Sequence, residues 1–124
     1  MTNNRVLVVD DDRSVSRLVA AILRDRGYIV DVANDGRSAL NLVAENPYIL
    51  AVLDYQMPDM DGVELFQRAR ETQPDLLGIF LTAYANINTV FPAIDAGIER
   101  VLSKPPSRGD LIPVVEELIG STSG

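Results

Sequence analysis

Short apolar runs alternate along this chain with segments in which apolar residues recur at helical spacing. The runs are Val6–Val9, Ile29–Ala33, Ile49–Leu53, Leu76–Leu81 and Val101–Ser103. Continuous apolar stretches this short read as strands buried on both faces, the habit of a parallel sheet. Between them, Val15, Leu18, Val19, Ile22 and Leu23 fall on one face of a first helix that Gly27 should stop. Asn34-Asp35-Gly36 reads as a turn into a second helix with a stripe of Ala39, Leu40, Val43 and Ala44, closed by Pro47. Asp61-Gly62 opens a third, with Leu65, Phe66 and Ala69 facing inward. A fourth is expected between about Asn86 and Ala96, ending at Gly97, and a fifth from near Asp110 with Leu111, Val114, Val115, Leu118 and Ile119. Five strand-helix units in order predict a doubly wound α/β domain around a parallel sheet, its right-handed crossovers placing helices on both faces. There is no internal repeat, and the expected domain is 1–124, with a core of about 5–119 and a flexible linker-like tail at 120–124.

The polar residues that end these runs carry the chemistry. Asp10-Asp11-Asp12 follows the first strand, Asp54 ends the third run, Thr82 the fourth and Lys104 the fifth. In an open parallel sheet, the C-terminal strand ends meet at one crevice, where ligands bind. Each residue alone has an ordinary explanation: the acids as helix caps, the threonine as a strand residue, the lysine as solvated surface charge. Their joint placement does not.

Composition narrows the chemistry further. The 124 residues contain no cysteine and no histidine, so thiolate sites, imidazole bases and the commonest zinc ligand are absent. Hard oxygen ligands favour Mg²⁺, Mn²⁺ or Ca²⁺ over zinc, and a small acidic cluster fits Mg²⁺, which takes one or two carboxylates, better than a full calcium cage. The formal charge of −7 argues against direct nucleic-acid binding and against an anionic membrane surface. No apolar stretch approaches the roughly 20 residues that span a bilayer. The N-terminus lacks a signal-peptide pattern, so a cytoplasmic location is expected. Three clustered carboxylates repel one another and invite a proton or a cation. An ammonium beside them suits a site for a phosphoryl group, whose oxygens metal and lysine neutralise together. A carboxylate can itself accept phosphate covalently, and Asp54 is the expected nucleophile.

Val8-Val9-Asp10-Asp11-Asp12, Asp54-Tyr55-Gln56-Met57-Pro58-Asp59-Met60-Asp61-Gly62, Thr82-Ala83 and Lys104-Pro105 together resemble the receiver domains of bacterial two-component response regulators. The resemblance implies a flavodoxin-like (βα)5 fold with strand order 2-1-3-4-5. It implies that Asp54 accepts a phosphoryl group from a histidine kinase or phosphotransfer protein. Asp11, Asp54 and the Gln56 backbone carbonyl match Mg²⁺ ligands, and Asp10 matches an acid that holds the ion through water. Thr82, Lys104 and the Ala83 backbone match the contacts of the phosphoryl oxygens, and Lys104-Pro105 matches a peptide bond that is typically cis. Asp12 matches none of these roles and is read as the cap of the first helix. An effector domain or downstream protein would read the signal. The domain would not be an enzyme beyond accepting and slowly losing its own phosphoryl group, and homodimers are common in the family.

Three positions depart from the family pattern. Val101 stands where an aromatic ring usually follows the movement of the threonine, Pro106 replaces a frequent aromatic, and Pro92 falls inside the predicted fourth helix. An interior proline and the weak helix formers Asn86, Asn88 and Thr89 predict that this helix either starts late, near Asn88 or Thr89, or is mobile. Gln56 and Tyr84 match positions that tune loss of the phosphoryl group, and Tyr84 offers a substitute ring for Val101. Met57 and Met60 read as loop packing, Arg100 and Arg108 as surface charge, and Tyr28 and Tyr48 as partly buried edge aromatics. Two alternatives stand beside this reading. One is a haloacid-dehalogenase-type phosphatase with Asp10 as nucleophile, which leaves Asp54–Gly62 without a purpose. The other is a receiver-like binding module that is never phosphorylated.

Overall fold

The structure is a computed structural model that describes residues 3–83 and 97–122. The predicted fourth helix, with Pro92, and Tyr84 lie outside the described residues. Five strands, β1 (Arg5–Val9), β2 (Ile29–Ala33), β3 (Leu50–Asp54), β4 (Leu77–Thr82) and β5 (Arg100–Ser103), form one sheet in the order β2-β1-β3-β4-β5. Every pairing is parallel. The described helices are α1 (Arg13–Asp25), α2 (Gly36–Glu45), α3 (Gly62–Thr72) and α4 (Arg108–Thr122).

Because alternate strand residues point to opposite faces, the apolar runs feed two cores. Val6, Val8, Leu50, Val52, Ile79 and Leu81 face α1 and α4, which add Val19, Leu23, Leu111 and Val115. Leu7, Val9, Ala51, Leu53 and Phe80 face α2 and α3, which add Ala39, Val43, Leu65 and Phe66. Phe66 and Phe80 are fully buried, and truncating either to alanine should cost about 3–5 kcal/mol.

The helix ends follow from local chemistry. Asp12 caps α1 as expected, its carboxylate accepting from the Ser14 and Val15 backbone N–H groups at 2.9 and 3.4 Å. Gly27, at φ +94°, lies just beyond its end. Asp35 caps α2 through the Ser38 N–H, and Asp61 caps α3 through the Glu64 N–H.

The structure differs from the sequence reading in five places. β2 and β5, expected to be buried on both faces, are only partly so because they are the edge strands, with Ile29 48% exposed and no residue of β5 buried. Leu18, expected in the buried stripe of α1, is 41% exposed, because it lies at the rim of a stripe that Ala20 completes. Ala44 is likewise exposed on α2. Tyr48 is buried rather than partly exposed, because its hydroxyl donates to Asp31 Oδ2 at 2.7 Å, a carboxylate that also receives Arg5 at 2.8 Å. Finally, α4 begins at Arg108 and runs through Gly120 to Thr122. One glycine in a last turn costs only about 1 kcal/mol, which a helix already anchored by Leu111, Val115 and Leu118 tolerates.

Candidate functional site

The order of the sheet reverses between β1 and β3, and the polar strand ends collect at that point. Val9 pairs in register with Leu53, so Asp10 and Asp54 leave adjacent strands side by side. Asp54 is the last residue of β3 and Thr82 the last of β4. Thr82 pairs with Ser103, and the Lys104 N–H donates to the Thr82 carbonyl at 2.9 Å, which brings the lysine back over the same crevice. Ala83 is exposed directly beyond Thr82. The Lys104–Pro105 peptide bond is cis.

Oxygens of Asp10, Asp11 and Asp54 lie within 4.8 Å of one another, Asp10 and Asp54 buried and Asp11 exposed. Lys104 Nζ sits 3.3 Å from Asp10 Oδ2 and 3.3 Å from Asp54 Oδ1. One ammonium therefore serves two buried carboxylates, with a third beside them. Burial pushes the Asp54 carboxyl up to about 7, aided by a hydrogen bond with Asp11 and by the charge of Asp10, and Lys104 offsets only part of this. Burial also raises Asp10, against the pull of the Asp12 N–H and of Lys104. Burial alone would lower Lys104, but the Asp10 and Asp54 charges overcome it and hold the ammonium charged.

This donor set fits a hard divalent cation. Three carboxylates, two of them short of compensating charge, sit together without a nitrogen or sulfur ligand. The Gln56 backbone carbonyl belongs to the loop that follows Asp54, and the Gln56 N–H donates to Asp54 Oδ1 at 3.3 Å. Gln56 itself is exposed. Of the residues singled out from sequence, the structure gathers Asp10, Asp11, Asp54, Thr82 and Lys104 at one crevice. Val101 lies in β5, half-buried against the core on the α2–α3 face.

Several residues support the site in ways the sequence reading did not assign to them. Asn34 donates to the Asp10 backbone carbonyl at 2.8 Å and to Ser16 Oγ at 3.2 Å, tying β2's end to the acid pair. Gly62 lets the loop close on the acceptor strand: a Cβ there would stand 2.6 Å from the Asp54 backbone oxygen. Tyr55 packs edge-on against Phe80, ring centroids 5.5 Å apart, behind the acceptor. Asp59 reaches across to the start of α2. No local signal marks Asn34 or Asp59, since their partners lie 18 to 24 residues away.

Comparison with known proteins places the chain in a family. The family model "Response regulator receiver domain" matches residues 6–116. Response regulator MprA of Mycobacterium sp. (strain KMS) is 39% identical over 119 residues, covering 96% of this chain and 52% of that protein. The chain thus spans about half the length of that relative. The crystal structure of a CheY-like receiver domain protein from Methanospirillum hungatei JF-1 superposes with a TM-score of 0.91 at 29% identity, covering 98% of each chain. A response regulator from Burkholderia pseudomallei, solved with a phosphorylated aspartic acid, a calcium ion and citrate, gives a TM-score of 0.84 at 26% identity over 97% of this chain and 71% of that one. Acids at the ends of β1 and β3, a hydroxyl at the end of β4, a lysine beyond β5 and a family match across nearly the whole sheet make this chain a response regulator receiver domain of two-component systems, a family of signalling switches.

Proposed function

We propose that the chain, read as one receiver domain over 1–124, is a phosphorylation-activated switch in which Asp54 accepts a phosphoryl group from a histidine kinase or phosphotransfer protein, with Mg²⁺. The observation that carries this reading is Asp54 itself: a strand-end carboxylate, 3% exposed, with an ammonium at 3.3 Å and two further acids beside it. The phosphorylated aspartic acid of the Burkholderia protein supports the same chemistry in a related fold.

Asp11, Asp54 and the Gln56 carbonyl would hold Mg²⁺ directly and Asp10 through water, Mn²⁺ being the alternative ion. The ion, when bound, supplies positive charge against the carboxylates and the phosphoryl oxygens. The chain's own groups do the rest. An Asp54 carboxylate oxygen forms a bond to phosphorus while the donor's phosphorus–nitrogen bond breaks, its electron pair staying on the donor imidazole. Lys104 donates to a phosphoryl oxygen, and in doing so gives up part of its attraction to Asp10 and Asp54. The Thr82 hydroxyl and Ala83 N–H complete the oxygen contacts. The arrival of the group shifts a two-state equilibrium that an effector domain or downstream protein reads. Gln56 and Tyr84 match positions that tune loss of the phosphoryl group in the family, and these two side chains would set its lifetime here. Val101 alters the coupling that an aromatic ring provides elsewhere in the family. Turnover is limited to the domain's own acyl phosphate, so it is not an enzyme acting on a separate substrate.

Intact mass after incubation with Mg²⁺ and acetyl phosphate tests this, on wild type and Asp54→Asn. One phosphoryl adduct is expected in wild type, lost in the variant and lost when EDTA replaces Mg²⁺. An adduct that persists in Asp54→Asn moves the nucleophile to the Asp10 cluster and favours the phosphatase. No adduct in wild type, from acetyl phosphate or from a phosphorylated phosphotransfer protein, favours the binding module.

A further inference from the structure

We propose that Asp59 is a positioning residue for the metal-binding loop: it clasps the β3–α3 connection to the N-terminus of α2 and so fixes where the Gln56 carbonyl stands. The inference rests on the reading of the crevice as a Mg²⁺ site.

The loop between Asp54 and Gly62 is anchored by its backbone at both ends. The Tyr55 N–H donates to the Leu81 carbonyl at 2.9 Å, and the Gly62 N–H donates to the Tyr55 carbonyl at 2.8 Å. Its middle is held by Asp59. Oδ1 accepts from the Gly36 N–H at 3.1 Å and Oδ2 accepts from the Arg37 N–H at 3.1 Å, while Oδ1 also accepts from the Met60 N–H at 3.0 Å. The first N–H groups of a helix have no partner within it, and they carry the positive end of its dipole. Here a carboxylate from a distant loop takes two of them, and these bonds hold Asp59 below the usual carboxylate range, the Gly36 N–H contributing most.

The clasp is not needed to cap the helix. Asp35 already does so, accepting from the Ser38 N–H at 2.7 Å. Packing on the other side of the joint is specific to this closure. A Cβ on Gly36 would meet Cγ and Sδ of Met60, so the Met60 side chain lies directly over the start of α2. Gln56 lies three residues from Asp59 and is exposed, its side chain offering the loop no anchor of its own. The direction of its carbonyl is therefore set by the tether at Tyr55 and its own N–H bond to Asp54 on one side, and by the clasp at Asp59 on the other. A ligand oxygen fixed in this way needs no reordering when the ion arrives, and losing such support typically weakens a metal site about 10- to 100-fold.

The test compares Asp59→Ala, Asp59→Asn and Asp35→Ala by calorimetric titration with MgCl₂ and by urea unfolding. Asp59→Ala and Asp35→Ala each remove a carboxylate from the start of α2 and should lose similar stability. Asp59→Ala alone should weaken Mg²⁺ binding, by about tenfold or more. Asp59→Asn, which keeps the shape and one acceptor, should recover part of the affinity and remain folded if the alanine variant does not. In wild type, MgCl₂ should also shift the Gly36 and Arg37 amide resonances. Wild-type affinity in a folded Asp59 variant, or an equal loss in Asp35→Ala, overturns the clasp while leaving the site intact. A wild type that does not bind MgCl₂ overturns the reading of the site, and the clasp with it.

Discussion

Replacing Asp54 by asparagine should make the metal-free domain more stable, and by an amount that grows with pH. In the folded protein this carboxyl is pushed up to about 7 from an ordinary 3.8, first by burial, then by its hydrogen bond to Asp11 and the charge of Asp10. Between those values the native state holds a proton that the unfolded chain has released. The contribution of Asp54 to stability is therefore complete below about pH 4 and is lost as pH rises towards 7. At about 1.4 kcal/mol per pH unit, the whole loss has a ceiling of about 4 kcal/mol, of which about 3 kcal/mol falls above pH 5. The attraction of Lys104 is already counted in that figure, because it acts on the same carboxyl. Asparagine keeps the shape and cannot ionise, so it should not suffer the loss. Urea unfolding in EDTA, followed by far-ultraviolet circular dichroism at pH 5 and pH 8, measures the gap between variant and wild type. Acids away from the crevice titrate alike in both proteins and cancel in the difference, whereas Asp10, which interacts with Asp54, does not. The gap should widen by between 1 and about 3 kcal/mol from pH 5 to pH 8. Saturating Mg²⁺ should then narrow it, since a ligand bound by the native state alone stabilises wild type by mass action. A gap that is the same at both pH values would refute the argument, and so would a variant less stable than wild type at pH 8.

Other substitutions probe different parts of the same account. Lys104→Met strands two buried carboxylates and should destabilise the metal-free domain by about 3 kcal/mol at pH 8, read by urea unfolding, with a smaller effect once Asp54 is also asparagine. Gly62→Ala drives a Cβ to 2.6 Å from the Asp54 backbone oxygen, so it should cost about 1–3 kcal/mol and slow acetyl-phosphate labelling, seen by melting and by intact mass. Asp12→Ala removes the cap of α1 and should cost about 1 kcal/mol by urea unfolding while leaving the labelling rate unchanged. Tyr48→Phe takes one donor from Asp31 and should cost about 1 kcal/mol, with no change in labelling.

The sequence by itself determined the sheet and most of the crevice. Runs such as Val6–Val9 and Leu50–Leu53 have no polar face to offer water, so they must be strands covered on both sides, and their order with the helical segments dictates parallel pairing. Asp10, Asp54, Thr82 and Lys104 were legible for the same reason: each is a polar residue at the end of an apolar run, and such ends converge. What the sequence left out are relations between residues with no periodicity to link them. Only the tertiary structure decided that Asn34 holds the Asp10 backbone, that Tyr48 is buried on the Asp31 carboxylate, and that Asp59 spans from its loop to α2. It alone decided that a single ammonium at 3.3 Å must answer two carboxylates. The physical reason is one of range. Periodicity and capping act within a turn or a strand and can be read from neighbours in sequence, whereas desolvation and long-range hydrogen bonds depend on which surfaces the finished fold brings together.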